Sequence, residues 1–288
     1  MTKIFSWIFS AVALAFFGAL LVVLAWQSVP VWKHEGIGYI TGTRWFFRTA
    51  QFGALPMIYG TMVVAAVALV LAAPLGMAAA TFTAEYLPRN LRLLMKILIE
   101  LLAGIPSVIY GLLGILLLRE WIYDLFTSFD ISSGDTLLTA GVLLAVMILP
   151  TVVTLSDDAL RGVPGAQRQA ARALGLTRAE TILLVTLPQA RRGLLSALLL
   201  GLGRALGETI AVFLVVGRQD NNLPTNWLSL RPLLEAGQTL TSKLGGSETN
   251  IAYGDPVHWG AVVGLGLFLL VMVAITTILG TIQRSAHA

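Results

Sequence analysis

Six long apolar runs set the strongest limit on what this chain of 288 residues can fold into. At about 1.5 Å per helical residue, each run can cross a hydrocarbon core of roughly 30 Å. Lipid offers the backbone no hydrogen-bonding partners, so each run is expected to be helical. The sequence therefore predicts an all-α, polytopic membrane protein with six transmembrane helices in one domain, residues 1–288. The predicted spans are residues 5–26, 57–84, 93–118, 136–156, 193–216 and 259–282.

Composition supports a membrane protein and argues against several other classes. Hydrophobic residues make up 57% of the chain and charged residues 12%, against about 25% charged in a typical soluble domain. The net charge of +4 comes from residues scattered through short loops, so no nucleic-acid partner is expected. The absence of cysteine excludes disulfides and thiolate metal sites. His34, His258 and His287 are expected to be solvated loop residues, so no metal and no other cofactor is predicted.

The lysine and arginine residues predict how the chain is oriented in the membrane. With the N-terminus inside, eleven of the 19 lysines and arginines lie on the inner side and seven on the outer side. Both termini are therefore predicted to be cytoplasmic. The apolar run 5–26 is longer than the ~7–15 apolar residues of a signal peptide and has no small-residue cleavage site after it, so a retained helix is expected.

Several runs contain residues that disturb a membrane helix. Pro74, Pro106 and Pro150 are predicted to kink helices, because proline removes a backbone donor and clashes with the preceding turn. Lys96 and Glu100 are four residues apart in the third run, which predicts a structural ion pair near the membrane boundary.

The fifth run carries two opposite charges, Arg204 and Glu208, in an otherwise apolar stretch. Their spacing places them on adjacent parts of one helix face, which is expected to turn toward the bundle. One such charge costs about 2.5–3.5 kcal/mol at the membrane centre, so the pair predicts a functional site. An internal salt bridge that fixes helix packing is the alternative. Gly203 and Gly207 have the spacing that lets two membrane helices approach closely.

The basic loop of residues 158–192 is predicted to form two short helices that project from the membrane. Gly175 is suited to end the first helix in a left-handed conformation. Thr177 and Glu180 form a capping box that begins the second helix. Local physics leaves two interpretations open, a docking surface for another protein and a loop packed against its own bundle.

In this loop Gln169-Ala170-Ala171 is followed after three residues by Gly175, and after nine more by Val185-x-Leu187-Pro188. This pattern resembles the EAA loop of prokaryotic ABC transporter permeases. Two positions depart from the usual pattern, because Gln169 replaces glutamate and Val185 replaces isoleucine. The resemblance implies that residues 163–188 dock onto a cytoplasmic ATPase. The implied coupling residues are Gln169, Ala170, Ala171, Gly175, Leu187 and Pro188.

Three further segments are similar to the permeases of the high-affinity phosphate uptake system, namely residues 52–61, 103–111 and 203–209. The amino-acid sequences of these segments resemble the PstC-type subunit more than the PstA-type subunit. The resemblance implies a multi-pass permease of the bacterial plasma (inner) membrane that forms half of the pathway of an ATP-driven phosphate importer. The implied partners are a PstA-type sister permease, an ATP-binding ATPase dimer, an extracytoplasmic phosphate-binding protein, inorganic phosphate and membrane lipid.

Within this resemblance, the predicted substrate-binding residues are Arg204, Glu208 and Thr209. Arginine suits phosphate because its guanidinium offers a fork of donors and stays charged when it is desolvated. Glu208 is predicted to hold Arg204 neutralised and oriented while the pathway is empty. One arginine cannot satisfy four phosphate oxygens, so further donors are expected from a second permease subunit.

Other functions remain as alternatives at this point. A permease for sulfate or molybdate is one, although Thr209 and Ile210 follow Glu208 where those families commonly have an aromatic residue and glycine. A non-transporting scaffold or sensor would leave the two membrane charges unexplained. An intramembrane enzyme would need an activated nucleophile or metal ligands that the spans do not offer. The chain lacks a Gly-x4-Gly-Lys-Ser/Thr phosphate loop, so it is not expected to be an enzyme, and ATP hydrolysis is expected on a partner.

The loop of residues 218–258 is predicted to lie outside the membrane. It is either a landing surface for an extracytoplasmic binding protein or a solvated connector. The residues that suggest a landing surface are Asn221, Asn222, Trp227 and Tyr253.

Overall fold

A computed structural model describes residues 2–129, 131–224 and 231–285 of the chain as a bundle of helices. In these residues the helices are α1 (Thr2–Glu35), α2 (Gly38–Thr41), α3 (Leu55–Thr81), α4 (Arg89–Ala103), α5 (Ser107–Leu113), α6 (Arg119–Phe126), α7 (Leu137–Arg161), α8 (Gly165–Ala173), α9 (Arg178–Thr181), α10 (Leu187–Gly207), α11 (Ile210–Val215), α12 (Leu240–Leu244), α13 (Glu248–Ala252) and α14 (Pro256–Ser285). Strands β1 (Trp45–Phe46) and β2 (Gln51–Phe52) form an antiparallel hairpin. Single π-helical turns lie at Phe82–Tyr86, Gly114–Leu118 and Ile182–Thr186.

Five helical segments of the described chain are long and apolar enough to span a membrane. A sixth span results if α4 and the following segment, Ser107–Phe129, are counted as one broken span bent by 84°. The break lies at Pro106, whose fixed φ and missing N–H prevent one continuous helix. Pro74 and Pro150 lie inside the continuous helices α3 and α7. The sequence prediction of six transmembrane helices is confirmed in this sense.

The centre of the bundle is built from α3, α7, α10 and α14, which pack through small side chains. A Cβ on Gly141 of α7 would lie 2.5 Å from a methyl group of Val67 on α3, so this crossing requires glycine. Ala68 and Ala72 of α3 are fully buried at the same interface. Close backbone approach of this kind is how membrane helices gain packing energy without a hydrophobic drive.

The two ends of the bundle differ in construction. At one end, residues 162–186 form the two short helices α8 and α9, here named the docking loop. At the other end, residues 36–54, 217–224 and 231–255 fold over the helices as a compact cover, here named the cap. The cap is joined to α7 where the Leu137 N–H donates to the Glu235 carbonyl at 3.1 Å.

Two predictions about charged groups are wrong. Lys96 and Glu100 have no ion pair within 4.0 Å of each other, although both lie on α4 at the predicted spacing. His258 is only 2% exposed and is not a solvated residue, because the cap encloses the start of α14. Its Nε2 lies 2.7 Å from Glu248 Oε1. His34 is exposed as predicted, and His287 lies outside the described residues.

Candidate functional site

The fifth predicted span is not one continuous helix, because it is interrupted at Glu208 and Thr209. Helix α10 ends at Gly207, and Glu208 has an extended backbone with φ −75° and ψ 121°. Helix α11 begins at Ile210. Glycine weakens a helix end, and the Glu208 carboxylate accepts a hydrogen bond from the Ala211 N–H at 3.4 Å, which favours a new helix start. The span therefore exposes non-helical backbone inside an apolar run.

Arg204 lies in the last turn of α10, on the outer flank of this chain. Its Nη1 donates to the Thr151 hydroxyl of α7 at 3.2 Å. Among the described residues, no carboxylate lies within 4.0 Å of the guanidinium. The predicted ion pair with Glu208 is therefore wrong. The helix ends before Glu208, so the geometry that makes residues four apart face each other does not extend to it.

Glu208 shares a small cavity with three threonines and makes no ion pair with Arg204. The half-buried Glu208 lines a small cavity with Thr61 of α3, and with Thr239 and Thr241 at the start of α12. The Thr61 hydroxyl accepts the Leu240 N–H at 2.9 Å, which fixes the cap segment against α3. Arg204 and Glu208 thus have different partners at the helix break.

Thr209 is half-buried at the same break. Its hydroxyl donates to the Gly207 carbonyl at 3.4 Å. A Cβ on Gly245 of the cap would lie 3.0 Å from the Thr209 methyl group. Thr209 therefore connects the helix break to the cap.

The two glycines of α10 have different environments. A Cβ on Gly203 would lie 3.1 Å from the Thr276 hydroxyl and 3.2 Å from the Thr277 hydroxyl, so α10 and α14 approach closely there. Gly207 is exposed, and no atom of the described chain lies within 4 Å of the position of its Cβ. A packing partner for Gly207 is therefore not found within the described residues.

The docking loop has the predicted local structure. Gly175 has φ +88° between α8 and α9, and the Thr177–Glu180 capping box is present. Leu174, at the tip, is 83% exposed. Ala171 is buried against the chain, whereas Gln169 and Ala170 are exposed. Leu187 and Pro188 form the first turn of α10.

The largest cavity described lies at the base of the docking loop and not at the helix break. It has a volume of about 440 Å³. Polar lining comes from Asp158, Gln167, Gln189 and Ser196. Because no motif of the sequence pointed to these residues, they were not among the predicted site residues.

Comparison with known proteins places the chain in a family. A family model described as "binding-protein-dependent transport system inner membrane component" matches residues 72–286. This chain belongs to that family. The permease is thus a multi-pass membrane protein of the ABC transporter type.

Named relatives of this permease include phosphate transport proteins. A phosphate transport system permease protein PstC from Mesorhizobium japonicum is 34% identical over 86% of this chain and 77% of the relative. A probable ABC transporter permease protein YqgH from Bacillus subtilis is 37% identical over 85% of this chain and 77% of the relative. A phosphate transport system permease protein PstC 2 from Mycobacterium tuberculosis is 33% identical over 88% of this chain and 81% of the relative.

The fold of this permease also matches solved structures. An inward-facing structure of the MetNI methionine ABC transporter aligns with a TM-score of 0.56 at 18% identity. The match covers 79% of the permease and 93% of the solved chain. At this identity the match establishes the ABC permease fold.

Sequence reasoning missed the residues that surround the two membrane charges of this permease. Thr151, Thr61 and Thr239 lie on three separate segments and contact the site only through tertiary packing. Threonine is common in such spans, so no spacing signal marks these positions.

The cap residues Asn221 and Asn222 face inward rather than outward. Asn221 Oδ1 accepts the Trp45 N–H at 2.5 Å, and Asn222 donates to the Ala236 carbonyl at 2.8 Å. Tyr253 is exposed, and Trp227 lies outside the described residues. The two half-buried asparagines therefore connect segments of the cap.

Proposed function

We propose that this permease forms half of the pathway of an ATP-driven phosphate importer in the bacterial inner membrane. The named relatives support phosphate as the substrate, because several are phosphate transport permeases. The observation that carries the proposal is the Arg204 guanidinium, which lies in the middle of an apolar run with the Thr151 hydroxyl as its partner and no carboxylate within 4.0 Å among the described residues. A charge inside a membrane span without a counter-ion is costly, and a transported anion would supply that counter-ion.

The position of Arg204 supports a site shared between two subunits. The side chain is exposed on the flank of this chain, and Gly207 beside it is open. A sister permease, PstA-type in the phosphate systems that this chain resembles, would cover this flank and supply further donors. Arg204, Glu208 and Thr209 then form this chain's half of the site, at a broken helix of the kind that builds transporter sites.

In this proposal the remaining partners bind at the two ends of the bundle. The docking loop faces the cytoplasm together with both termini, and an ATPase dimer binds its exposed tip at Leu174. An extracytoplasmic phosphate-binding protein delivers phosphate at the cap. The permease itself is not an enzyme, since the chain has no phosphate loop for ATP.

Uptake of labelled phosphate by the reconstituted transporter tests the role of Arg204. Arg204→Gln should abolish uptake, and Arg204→Lys should retain a small fraction because lysine lacks the planar fork. Arg89→Gln, which changes an exposed arginine at the start of α4 outside the cap and the docking loop, is the control and should keep wild-type uptake. All rates are normalised to assembled complex. Wild-type uptake by Arg204→Gln would contradict the proposal, and loss of assembly alone would point to a packing role.

Competition experiments test the choice of oxyanion. Unlabelled phosphate should suppress uptake of labelled phosphate, whereas equal concentrations of sulfate or molybdate should not. Strong suppression by sulfate or molybdate would favour the alternative oxyanion permease.

A further inference from the structure

The inner end of the second span is held by arginines from the docking loop. This end is the π-helical turn Phe82–Tyr86, which continues α3. Glu85 in this turn is only 8% exposed. Arg168 of α8 places its Nη2 3.1 Å from Glu85 Oε1, and it also donates to the Leu160 carbonyl at the end of α7 at 2.5 Å.

The second arm of the docking loop binds the same residue. Arg178 of α9 donates to the backbone carbonyl of Glu85. Its guanidinium also lies 4.6 Å from the centre of the Tyr86 ring, in a cation–π contact. The two short helices on either side of Gly175 therefore converge on Glu85, one through its side chain and one through its backbone.

A third arginine holds the same turn from a different direction. Arg92 of α4 donates to the carbonyls of Thr83, Ala84 and Leu87 at 2.9–3.1 Å. These contacts satisfy carbonyls that the helix end leaves without intrahelical partners. Arg92 is not part of the docking loop, so the end of α3 would remain anchored without Glu85.

Stability alone does not account for the buried Glu85 carboxylate. Its Oε1 makes an ion pair with Arg168 but has no hydrogen bond in the described structure. Burying such a pair costs desolvation energy, and apolar residues of similar volume often stabilise a fold as well or better. The neighbouring contacts at this end already include a well-packed apolar cluster that contains Ala84, Leu160 and Leu194. The buried pair therefore calls for a role other than packing.

The turn that Glu85 occupies is connected to the proposed anion site by a single helix. Helix α3 runs without interruption from Leu55 to Thr81 and leads directly into the π-helical turn. Near its other end, Thr61 lines the small cavity that Glu208 also lines. Displacement of the docking loop would therefore move α3, and α3 contacts the surroundings of Glu208.

We infer that Glu85 is a positioning residue that couples the docking loop to α3, through its ion pair with Arg168 and its backbone contact with Arg178. The inference rests on the proposed function, in which an ATPase moves the docking loop. Movement at the exposed tip passes through α8 and α9 to one residue at the end of α3. Without the Glu85 carboxylate, the loop still binds the ATPase but moves α3 less effectively.

The experiment uses the complete transporter in proteoliposomes with the phosphate-binding protein. It measures labelled phosphate imported and ATP hydrolysed in the same sample. Glu85→Gln and Arg168→Gln should each lower the ratio of phosphate imported to ATP hydrolysed by about fivefold, while the ATPase still co-purifies. The double variant should show the loss of one single variant rather than the product of both, because the two residues act as a unit.

Two further variants separate coupling from structural damage. Arg168→Lys keeps the charge, so its ratio of phosphate imported to ATP hydrolysed should be closer to the wild-type value than that of Arg168→Gln. Arg92→Gln removes three hydrogen bonds from the same turn but no contact with the docking loop, so it should keep the wild-type ratio. A change in the amount of assembled complex is measured separately by size-exclusion chromatography.

The outcomes distinguish the inference from the proposed function. If the wild-type complex hydrolyses ATP but imports no phosphate, the proposed function fails and the inference with it. If wild-type import is normal and Glu85→Gln keeps the wild-type ratio, only the inference is overturned. It is also overturned if the Glu85 and Arg168 variants lose assembled complex while the remainder keeps the wild-type ratio, because that result indicates a purely structural pair.

Discussion

Glu208 is an acidic side chain in the proposed anion site, and because it makes no ion pair with Arg204 we expect it to take part in selecting the anion. It does not neutralise Arg204, so it is available to accept a hydrogen bond. At neutral pH, inorganic phosphate still carries a proton that it can donate to a carboxylate. Sulfate carries none, so its oxygens would be repelled by the Glu208 charge. A carboxylate here would therefore favour phosphate over sulfate.

The prediction at this scale concerns Glu208→Gln. Glutamine keeps the shape but removes the charge and offers an N–H donor, so sulfate should become an effective competitor of phosphate uptake. We expect sulfate competition to strengthen by about tenfold or more, since a buried group left without its partner discriminates strongly. The measurement is uptake of labelled phosphate against increasing sulfate.

The matched control for Glu208→Gln is Glu100→Gln, which removes an exposed carboxylate from α4. This variant should show wild-type selectivity. Equal insensitivity of wild type and Glu208→Gln to sulfate would rule out selection by the carboxylate. In that case Glu208 would act through the start of α11, where it accepts the Ala211 N–H.

At the scale of an element, the docking loop depends on the left-handed backbone of Gly175, with φ +88°. Alanine at this position should be strained by about 1 kcal/mol, because a side chain disfavours this conformation. Gly175→Ala should therefore reduce the amount of ATPase that co-purifies with the permease. Gly165→Ala is the control in the same loop, since Gly165 has free space around it and no positive φ. Gly165→Ala should leave the amount of co-purified ATPase unchanged. A comparable loss of ATPase in both variants would contradict the role assigned to Gly175.

The elements that sequence predicted well are those fixed by local chemistry. Apolar length specified the spans, and Thr177 with Glu180 specified the start of α9. The break at Glu208 was not predicted. The sequence spacing suggested that the Glu208 carboxylate pairs with Arg204 in the same helix, whereas it accepts the Ala211 N–H at the start of the next helix. His258 was taken for a solvated residue because its burial is produced by distant cap segments. Contacts between distant parts of the chain leave no periodicity in the sequence.

At the scale of the whole molecule, a buried ionic cluster joins the cap to the start of α14. Glu248 Oε1 lies 2.7 Å from both the Trp45 indole nitrogen and His258 Nε2. Lys243, only 4% exposed, lies 3.1 Å from Glu248 Oε2 and 2.8 Å from Asp220 Oδ2. Trp45 lies in the β-hairpin and Asp220 in the segment that follows α11. Lys243, Glu248 and His258 lie in α12, α13 and α14 respectively. The cluster therefore ties five separate parts of the chain together at one end of the bundle.

The cluster makes the stability of the permease depend on pH. Burial disfavours the charged form of Glu248, but the Trp45 N–H, the Lys243 charge and His258 outweigh it, so the pKa of Glu248 lies below its ordinary value of 4.5. A lowered carboxylate pKa stabilises the folded state above about pH 4.5, and this contribution is lost as pH falls through the folded-state pKa. Thermal unfolding of the solubilised permease should therefore show a falling Tm below about pH 4.5. Glu248→Gln should lower the Tm at pH 7 and flatten the acid dependence, because buried Lys243 loses one of its two carboxylate partners.

The exposed residue Glu120 provides the comparison for this prediction. It pairs with Arg119 at the surface, where an ion pair contributes little to stability. Glu120→Gln should therefore leave both the Tm at pH 7 and its acid dependence unchanged. If Glu248→Gln behaves like Glu120→Gln, the cluster does not stabilise the cap. If only Glu248→Gln loses Tm at neutral pH, the Glu248 carboxylate holds the cap onto α14, and strong acid should loosen the cap before the bundle unfolds.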